Sequence, residues 1–438
     1  MYCDMTLPMN RYVGFLRIVA VCLSLSLPVL SISARTHYDM YPDTCAGGDI
    51  SGELSVAASP SWVLPSNMFL RGANPEGKRV SAAFSGRLEY ALRFAPGSAQ
   101  SRLYPHAWQG IGVGVSSFSR SGILGSPVEL YVLQGSRIAS LSSRLSIDYE
   151  WNFGASFGWK HAHHADGVER LPEGVGSSVN AYIGLAFMLS YQASKSLTLR
   201  IGPEIAHYSN GNTSLPNPGV NRLGMRLSAT WRLHGRKDLN PVADWSGFKP
   251  GISYDVTVWG AWRKWGYTPS VNSPYTGSGI LEVPGDWGVF GLNFNPLYRF
   301  NPVVAVGPAI DLLYDDGANL SPHYEPMSPV DAPKFYRQPL RERIMGGLSL
   351  RVEISMPIFS VNIGIGHSVF APRPERSDIK QVYSEDEIHA VDSDLRGFYQ
   401  TFNLKTRLWR GLYLNTGYRL VDFSKSGNLM LGLGYTWR

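Results

Sequence analysis

The stretch LSIDYEWNFGASFGW, residues 145–159, decides the fold. From Leu145 through Ile147, Tyr149, Trp151, Phe153, Ala155 and Phe157 to Trp159, every second side chain is apolar, while Arg144, Ser146, Asp148, Glu150 and Asn152 take the positions between. Successive side chains of a strand point to opposite faces, so this period predicts one long strand with an oily face and a polar one. Its length exceeds the ~5–6 residues of an ordinary strand and covers the ~9–11 that a tilted strand needs to cross a bilayer.

The pattern recurs outward from there. Val80, Ala82, Phe84, Gly86, Leu88, Tyr90, Leu92 and Phe94 alternate with Arg79, Ser81, Ser85, Arg87, Glu89 and Arg93. The same period runs through Val179 to Tyr191, Ile252 to Trp262, Ile344 to Met356 and Leu429 to Trp437. Tight turns fall near Leu141, at Ser194-Lys195, at Phe300-Asn301, near Pro357 and near Trp409, whereas long polar loops run across 161–176, 265–284, 315–340 and 371–394. Short turns belong on the periplasmic side of an outer-membrane barrel and long loops outside it, and directions assigned backwards from Arg438 put every turn and loop on its expected side.

The composition agrees. Aromatic residues make 12% of the chain, and charged residues only 17%, below the ~25% usual for soluble domains. Beyond the first residues no apolar run approaches the ~20 of a membrane helix, so the expected class is an all-β transmembrane antiparallel β-barrel located in the cell outer membrane. A soluble β-sandwich also alternates but does not need strands this long. The net charge of +6 is spread without basic runs, which gives nucleic-acid binding no support.

Arg11 and Arg17 precede an apolar run from Ile18 to Leu30 and small residues ending near Ala34, the pattern of an export signal over 1–34. Its removal would take Cys3 and Cys22 and leave Cys45 alone, so neither a disulfide framework nor a thiolate zinc site is expected. Val21 before Cys22 does not suit a lipoprotein anchor.

About sixteen strands are expected, counting one between Ile50 and Asn67, in either tandem eight-stranded barrels or one large barrel. Tandem units are favoured because both halves close on Thr-Trp-Arg, at Thr230-Trp231-Arg232 and Thr436-Trp437-Arg438. The divisions are then a barrel over 35–234, a periplasmic linker over 235–248 and a second eight-stranded unit over 249–438. The pair Ile201-Gly202-Pro203 and Val306-Gly307-Pro308 falls on different strands of the two units and is no register evidence for duplication.

One segment carries chemistry: His207-Tyr208-Ser209-Asn210-Gly211-Asn212-Thr213-Ser214-Leu215-Pro216-Asn217-Pro218-Gly219-Val220-Asn221. Leu197, Leu199, Ile201, Pro203 and Ile205 form a lipid-facing row that His207 and Ser209 continue, and Asn221 joins the row Leu223, Met225, Leu227, Ala229 and Trp231 of the next strand. Three polar groups therefore converge on the outer wall at the membrane surface. An imidazole can take the proton of a neighbouring serine hydroxyl, and a third group can fix its tautomer. Asn221 can orient the ring through its amide oxygen but lacks the charge to stabilise an imidazolium. The alternative reading is that polar residues mark where the strand leaves hydrocarbon.

The His-x-Ser-Asn segment on the seventh strand of an eight-stranded unit, followed by Pro-Asn-Pro-Gly, resembles the lipid A 3-O-deacylase (PagL) family of outer-membrane hydrolases over residues from about 50 to 234. Gly176-Ser177-Ser178-Val179-Asn180 and Trp108-Gln109-Gly110 are weaker matches. The resemblance implies that His207 is the general base, Ser209 the nucleophile, and Asn210 and Gly211 neighbours of the oxyanion. The acid falls by spacing on Asn221, where the family has glutamate. Lipid A of lipopolysaccharide, within outer-membrane lipid, is the implied partner, and no cofactor is implied.

Glu204, three residues before His207, belongs on the opposite face as a lumen contact of Arg200 or its neighbours and is the lower-ranked candidate for the acid. His161, His163, His164 and Asp166 lie in a loop with no closed ligand pattern, and Asp311, Asp315, Asp316 and Asp331 show no calcium-loop spacing, so no metal site is expected. In the second half the corresponding row, Leu412, Leu414, Thr416 and Tyr418, has no His-x-Ser, and the adjacent His367 and Ser368 point to opposite faces. That half reads as scaffold, partner surface or conduit. The rival reading of the whole chain is a non-catalytic porin, transport or binding barrel using a lumen of Arg87, Glu89, Arg93, Asp148 and Glu150. Nothing in the sequence specifies an oligomeric state.

Overall fold

The structure is a computed structural model that describes residues 50–94, 98–161, 169–170, 174–233, 243–267, 280–323, 334–357, 359–372, 395–422 and 425–438. The export segment, His163, His164, Asp166 and Asp331 lie outside the described residues, as does most of the segment 235–248.

In the first half the strands are β1 (Ile50–Val63), β2 (Ala82–Phe94), β3 (Trp108–Phe118), β4 (Gly125–Ser140), β5 (Leu145–Trp159), a two-residue β6 (Glu169–Arg170), β7 (Val179–Gln192), β8 (Leu197–Ser209) and β9 (Val220–Arg232). All but β6 form one closed antiparallel barrel, sealed where β1 pairs with β9 from Glu53 opposite Arg232 to Val63 opposite Arg222. The second half continues with β10 (Gly251–Tyr267), β11 (Ile280–Arg299), β12 (Val304–Asp315), the small pair β13 (Ser321–His323) and β14 (Lys334–Tyr336), then β15 (Ile344–Ser355), β16 (Phe359–Phe370), β17 (Phe398–Trp409), β18 (Leu412–Val421) and β19 (Lys425–Trp437). Here β10 pairs with both β11 and β19, so eight strands again close on themselves. The architecture is two eight-stranded barrels, not one of sixteen. The stretch 265–284 expected as loop is partly strand, because β10 and β11 run on past the bilayer as far as Tyr267 and from Ile280.

Alternation sets which face is which. Along β8, Leu199, Ile201 and Ile205 are about half exposed, at 44%, 45% and 51%, while Arg200, Glu204 and Ala206 between them are buried. Exposed leucines, isoleucines and aromatics recur around both barrels, and a belt of that size belongs in lipid. A 13-residue strand such as β8 rises about 43 Å along its own axis, and a tilt of about 40° reduces this to about 33 Å, enough to span the apolar layer.

The interiors are filled. In the first barrel Glu204 accepts a paired contact from Arg87 (2.5 and 2.7 Å), lies 3.4 Å from Arg222 and 3.9 Å from Arg226, and accepts from Ser59, so its cationic partners are these three arginines and not Arg200. Arg226 grips Glu89 at 2.6 Å and Glu150 at 2.8 Å, Tyr131 donates to Glu89, Tyr208 to Glu129 and Trp108 to Glu150. Arg200 instead donates to Thr230 and stacks over Trp108. The second barrel repeats the solution: Lys405 bridges Asp255 (2.8 Å) and Glu353 (2.5 Å), and Arg351 pairs with Asp311 (2.5 Å). Asp315 pairs with Arg263, and Asp316 with Arg343 and Arg337, so these carboxylates are held by arginines. Eight strands enclose a bore that side chains can fill, and here paired charges fill it.

The barrels stand side by side. Val132 of β4 is buried in a cluster with Met356, Phe359, Val361 and Leu404 of the second barrel, and half-buried Trp151, Phe153 and Phe402 pack against it. Trp151 meets Phe359 edge to face at 5.9 Å and donates its indole N–H to Gln134. Outside the bilayer β6 pairs with the start of β11, Arg170 opposite Ile280 and Glu169 opposite Leu281. On the other side Asp244 N–H donates to Arg102 O and Trp245 to Leu103 O, docking the strand-to-strand connection under the first barrel. Hydrogen bonds from the Ser246 hydroxyl and N–H hold the Asp244 carboxyl below its ordinary range.

Candidate active site at the outer rim of the first barrel

β8 and β9 pair in register with His207 directly opposite Asn221, so both side chains leave the sheet on the same face. That face is the outer one, because Tyr208 and Arg222, their neighbours in sequence, are buried in the lumen. His207 Nδ1 lies 2.7 Å from Asn221 Oδ1. Asn221 Nδ2 faces Ser66 Oγ at 3.3 Å, which leaves the amide oxygen for the ring. With Nδ1–H donating to that oxygen, Nε2 carries the lone pair and faces away from Asn221.

Ser209 follows two residues later on the same row and is 8% exposed. The structure brings it beside the imidazole without a hydrogen bond between them. Gly219 marks the space they share: a β-carbon there would stand 3.0 Å from His207 Cε1 and 3.7 Å from Ser209 Cβ. Its φ of +71° and the absence of a side chain keep that gap open. Gly219 O in turn accepts from Asn67 Nδ2 at 2.9 Å, while Asn67 Oδ1 caps the one-turn helix Met68–Arg71 through Leu70 N–H. Leu64 N–H donates to Asn221 O, so the loop after β1 is fastened along the top of β9.

The connection from Asn210 to Gly219 is organised by its own asparagines. Asn217 Oδ1 accepts from Asn210 N–H (3.0 Å), Asn217 Nδ2 donates to Asn212 Oδ1 (3.1 Å), and Asn210 Nδ2 donates to Ser214 O (3.0 Å). Ser214 Oγ reaches Gly176 O at 2.6 Å, tying in the loop before β7. The two residues expected beside the oxyanion therefore differ. The N–H of Asn210 is already donated to Asn217, whereas Gly211 N–H and Asn212 N–H meet no acceptor among the described residues. Gly211 and Asn212, with φ of +66° and +65°, are the central residues of a tight turn closed by Thr213 N–H donating to Asn210 O, and their two N–H groups are the donors this turn leaves for an anionic oxygen.

Other candidates fall away from this cluster. Glu204, on the inner face, is locked to Arg87 and Arg222 and cannot reach the outer-wall imidazole. No carboxylate is bonded to His207 among the described residues. His367 faces outward against the Phe398 ring (4.9 Å), and Ser368 bonds the backbone of Gly397. Trp108 and Gly110 are structural: the indole lies in the bore, and a β-carbon at Gly110 would strike the β2 backbone at Ala91. Sequence reasoning missed Ser66 and Asn67 as parts of this site, and gave no role to Asn212, Asn217 and Gly219 within the segment it singled out. Only the Pro-Asn-Pro-Gly run pointed towards the last two.

Comparison with known proteins assigns each barrel to a domain family. Residues 90–230 match the family described as lipid A 3-O-deacylase (PagL), and residues 252–385 and 387–438 match the acyloxyacyl hydrolase C-terminal domain. Among curated proteins there is no match. Solved structures of similar fold include the outer membrane enzyme PagL, at 13% identity over 40% of this chain and 97% of that one with a TM-score of 0.25. The translocator domain of the autotransporter NalP from Neisseria meningitidis aligns at 8% identity over 96% and 97% of the two chains with a TM-score of 0.18. Likenesses this distant carry no argument about activity.

Proposed function

From a chain that carries a lipid A 3-O-deacylase (PagL) family domain in its first barrel and an acyloxyacyl hydrolase C-terminal domain in its second, we propose an outer-membrane esterase that removes an ester-linked acyl chain from lipid A. The observation that carries this reading is the 2.7 Å contact between His207 Nδ1 and Asn221 Oδ1 on the outer wall, with Ser209 on the same row. In this reading Ser209 Oγ attacks the ester carbonyl carbon as its proton passes to His207 Nε2. The oxygen that becomes negative is met by the N–H groups of Gly211 and Asn212. Collapse breaks the C–O bond to the sugar, whose oxygen takes the proton from His207. A water molecule, deprotonated by the same imidazole, then frees the fatty acid and restores the serine.

Asn221 fixes the ring's tautomer but adds no charge opposite the imidazolium, so the site works below what a carboxylate would allow. Substrate enters sideways from the outer leaflet, because the row faces lipid. The charge-packed bores weigh against conduction as the main role. The divisions we assign with this function are an export signal over 1–34, the catalytic barrel over 35–234, a periplasmic linker over 235–248 and the second unit over 249–438.

The test is expression in a host of defined lipid A followed by mass spectrometry. The intact protein should remove one acyl chain and Ser209→Ala, folded to the same extent, should remove none. Unchanged lipid A with the intact protein refutes the proposal.

A further inference from the structure

We infer that the second barrel is a working part of the site in the first: Lys264, Gly427 and Leu429 hold the Gly211–Asn212 corner in the shape that presents its two N–H groups beside Ser209. This deepens the reading given above and rests on it.

Asn212 is held from outside its own barrel at two points. Its carbonyl accepts the backbone N–H of Lys264 at 2.7 Å, and its side-chain Nδ2 donates to Gly427 O at 3.1 Å. Both partners sit where the second barrel's ladders break. The β10–β11 register shifts between Arg263 and Trp265, which leaves Lys264 out of the pairing. The β18–β19 register passes from Arg419 opposite Asn428 to Leu420 opposite Ser426, which leaves Gly427 unpaired. A residue skipped by the ladder has backbone groups free to point elsewhere, and here both point at one asparagine. Lys264 is itself anchored through Nζ to Asp286 (3.0 Å) and Gly285 O (3.1 Å).

Leu429 closes the third side. A β-carbon on Gly211 would stand 2.6 Å from Leu429 Cγ, so the leucine side chain covers the glycine. Gly211 and Asn212 share a backbone region that residues with a β-carbon rarely adopt, so the corner needs fixing from elsewhere. The fixing is relayed inward, since Asn212 Oδ1 takes Asn217 Nδ2 and Asn217 Oδ1 takes the N–H of Asn210, the residue next to Ser209. Lys264, Gly427 and Leu429 touch no reacting atom and are positioning residues.

The experiment uses the full chain with purified lipid A, following fatty-acid release at steady state. Asn212→Ala cuts the tie to Gly427 and Leu429→Ala opens the space over Gly211 from the other barrel, while Leu429→Met refills it. In folded protein, kcat should fall about 10- to 100-fold in either alanine variant with KM within about twofold, and Leu429→Met should restore kcat. Wild-type kcat in a folded Asn212→Ala or Leu429→Ala protein overturns the inference, as does a loss confined to KM. The underlying reading fails separately: its failure shows as no release by the wild type, or as undiminished release by Ser209→Ala.

Discussion

Replacing Asn221 by aspartate puts a carboxylate oxygen where the amide oxygen stands, 2.7 Å from His207 Nδ1, without changing side-chain length. The other oxygen replaces Nδ2, and the Ser66 hydroxyl at 3.3 Å turns from acceptor to donor, so no partner is lost. What is gained is a negative charge beside an imidazole that the proposed mechanism makes positive in the transition state. For unit charges about 4 Å apart the attraction is about 1 kcal/mol in water-like surroundings and about 4 kcal/mol near a protein surface. His207 and Asn221 are both half-buried, which places the pair between those limits. At 1.36 kcal/mol per factor of ten, kcat/KM should rise about 5- to several-hundred-fold. Asn221→Glu carries the same charge on a chain one methylene longer, so its gain should have the same sign and be smaller. The assay is fatty-acid release from lipid A in detergent micelles, with folding checked by far-ultraviolet circular dichroism. A folded Asn221→Asp protein with unchanged or lower kcat/KM would refute the view that this position completes the catalytic set.

Gly219→Ala should lower kcat/KM about 10- to 100-fold, since the new methyl pushes on the imidazole from 3.0 Å and the backbone at φ +71° resists any side chain; kinetics of the folded variant check this. Asn67→Ala removes a helix cap and the bond to Gly219 O together, and should cost about 1–2 kcal/mol of stability, read by denaturant unfolding in micelles. Arg226→Ala leaves Glu89 and Glu150 buried without their shared cation and should cost about 3–5 kcal/mol, while folded survivors keep wild-type KM. Planar bilayers containing the wild-type protein should show no steady conductance, and open-channel currents would contradict the packed bores.

Much of this was legible because a strand has a period of two. Parity alone assigns His207, Ser209 and Asn221 to the outer face and Glu204 to the inner, and the structure keeps that assignment. Parity says nothing about height or distance around the cylinder, so the partner of Glu204 is Arg87 on β2 and not its strand-mate Arg200. Ser66 and Asn67 reach the site from a loop that folds back across the rim, a long-range approach that leaves no local pattern. The seam between barrels is hidden for a different reason. Val132, Trp151 and Phe153 have the same apolar character whether lipid or Phe359 covers them, so composition cannot tell a protein-covered wall from a lipid-covered one. The ties of Asn212 to Lys264 and Gly427 depend on breaks in register, which alternation predicts least well.

Among the described residues, arginines and carboxylates stopper both cylinders and leave no drain through the membrane. In the proposed reaction a fatty acid cut loose at Ser209 would slip away laterally among its neighbours, and the trimmed glycolipid would stay in the leaflet it came from. On that proposal both products would remain at the cell's exterior face, and turnover would alter the make-up of that layer without moving material inward.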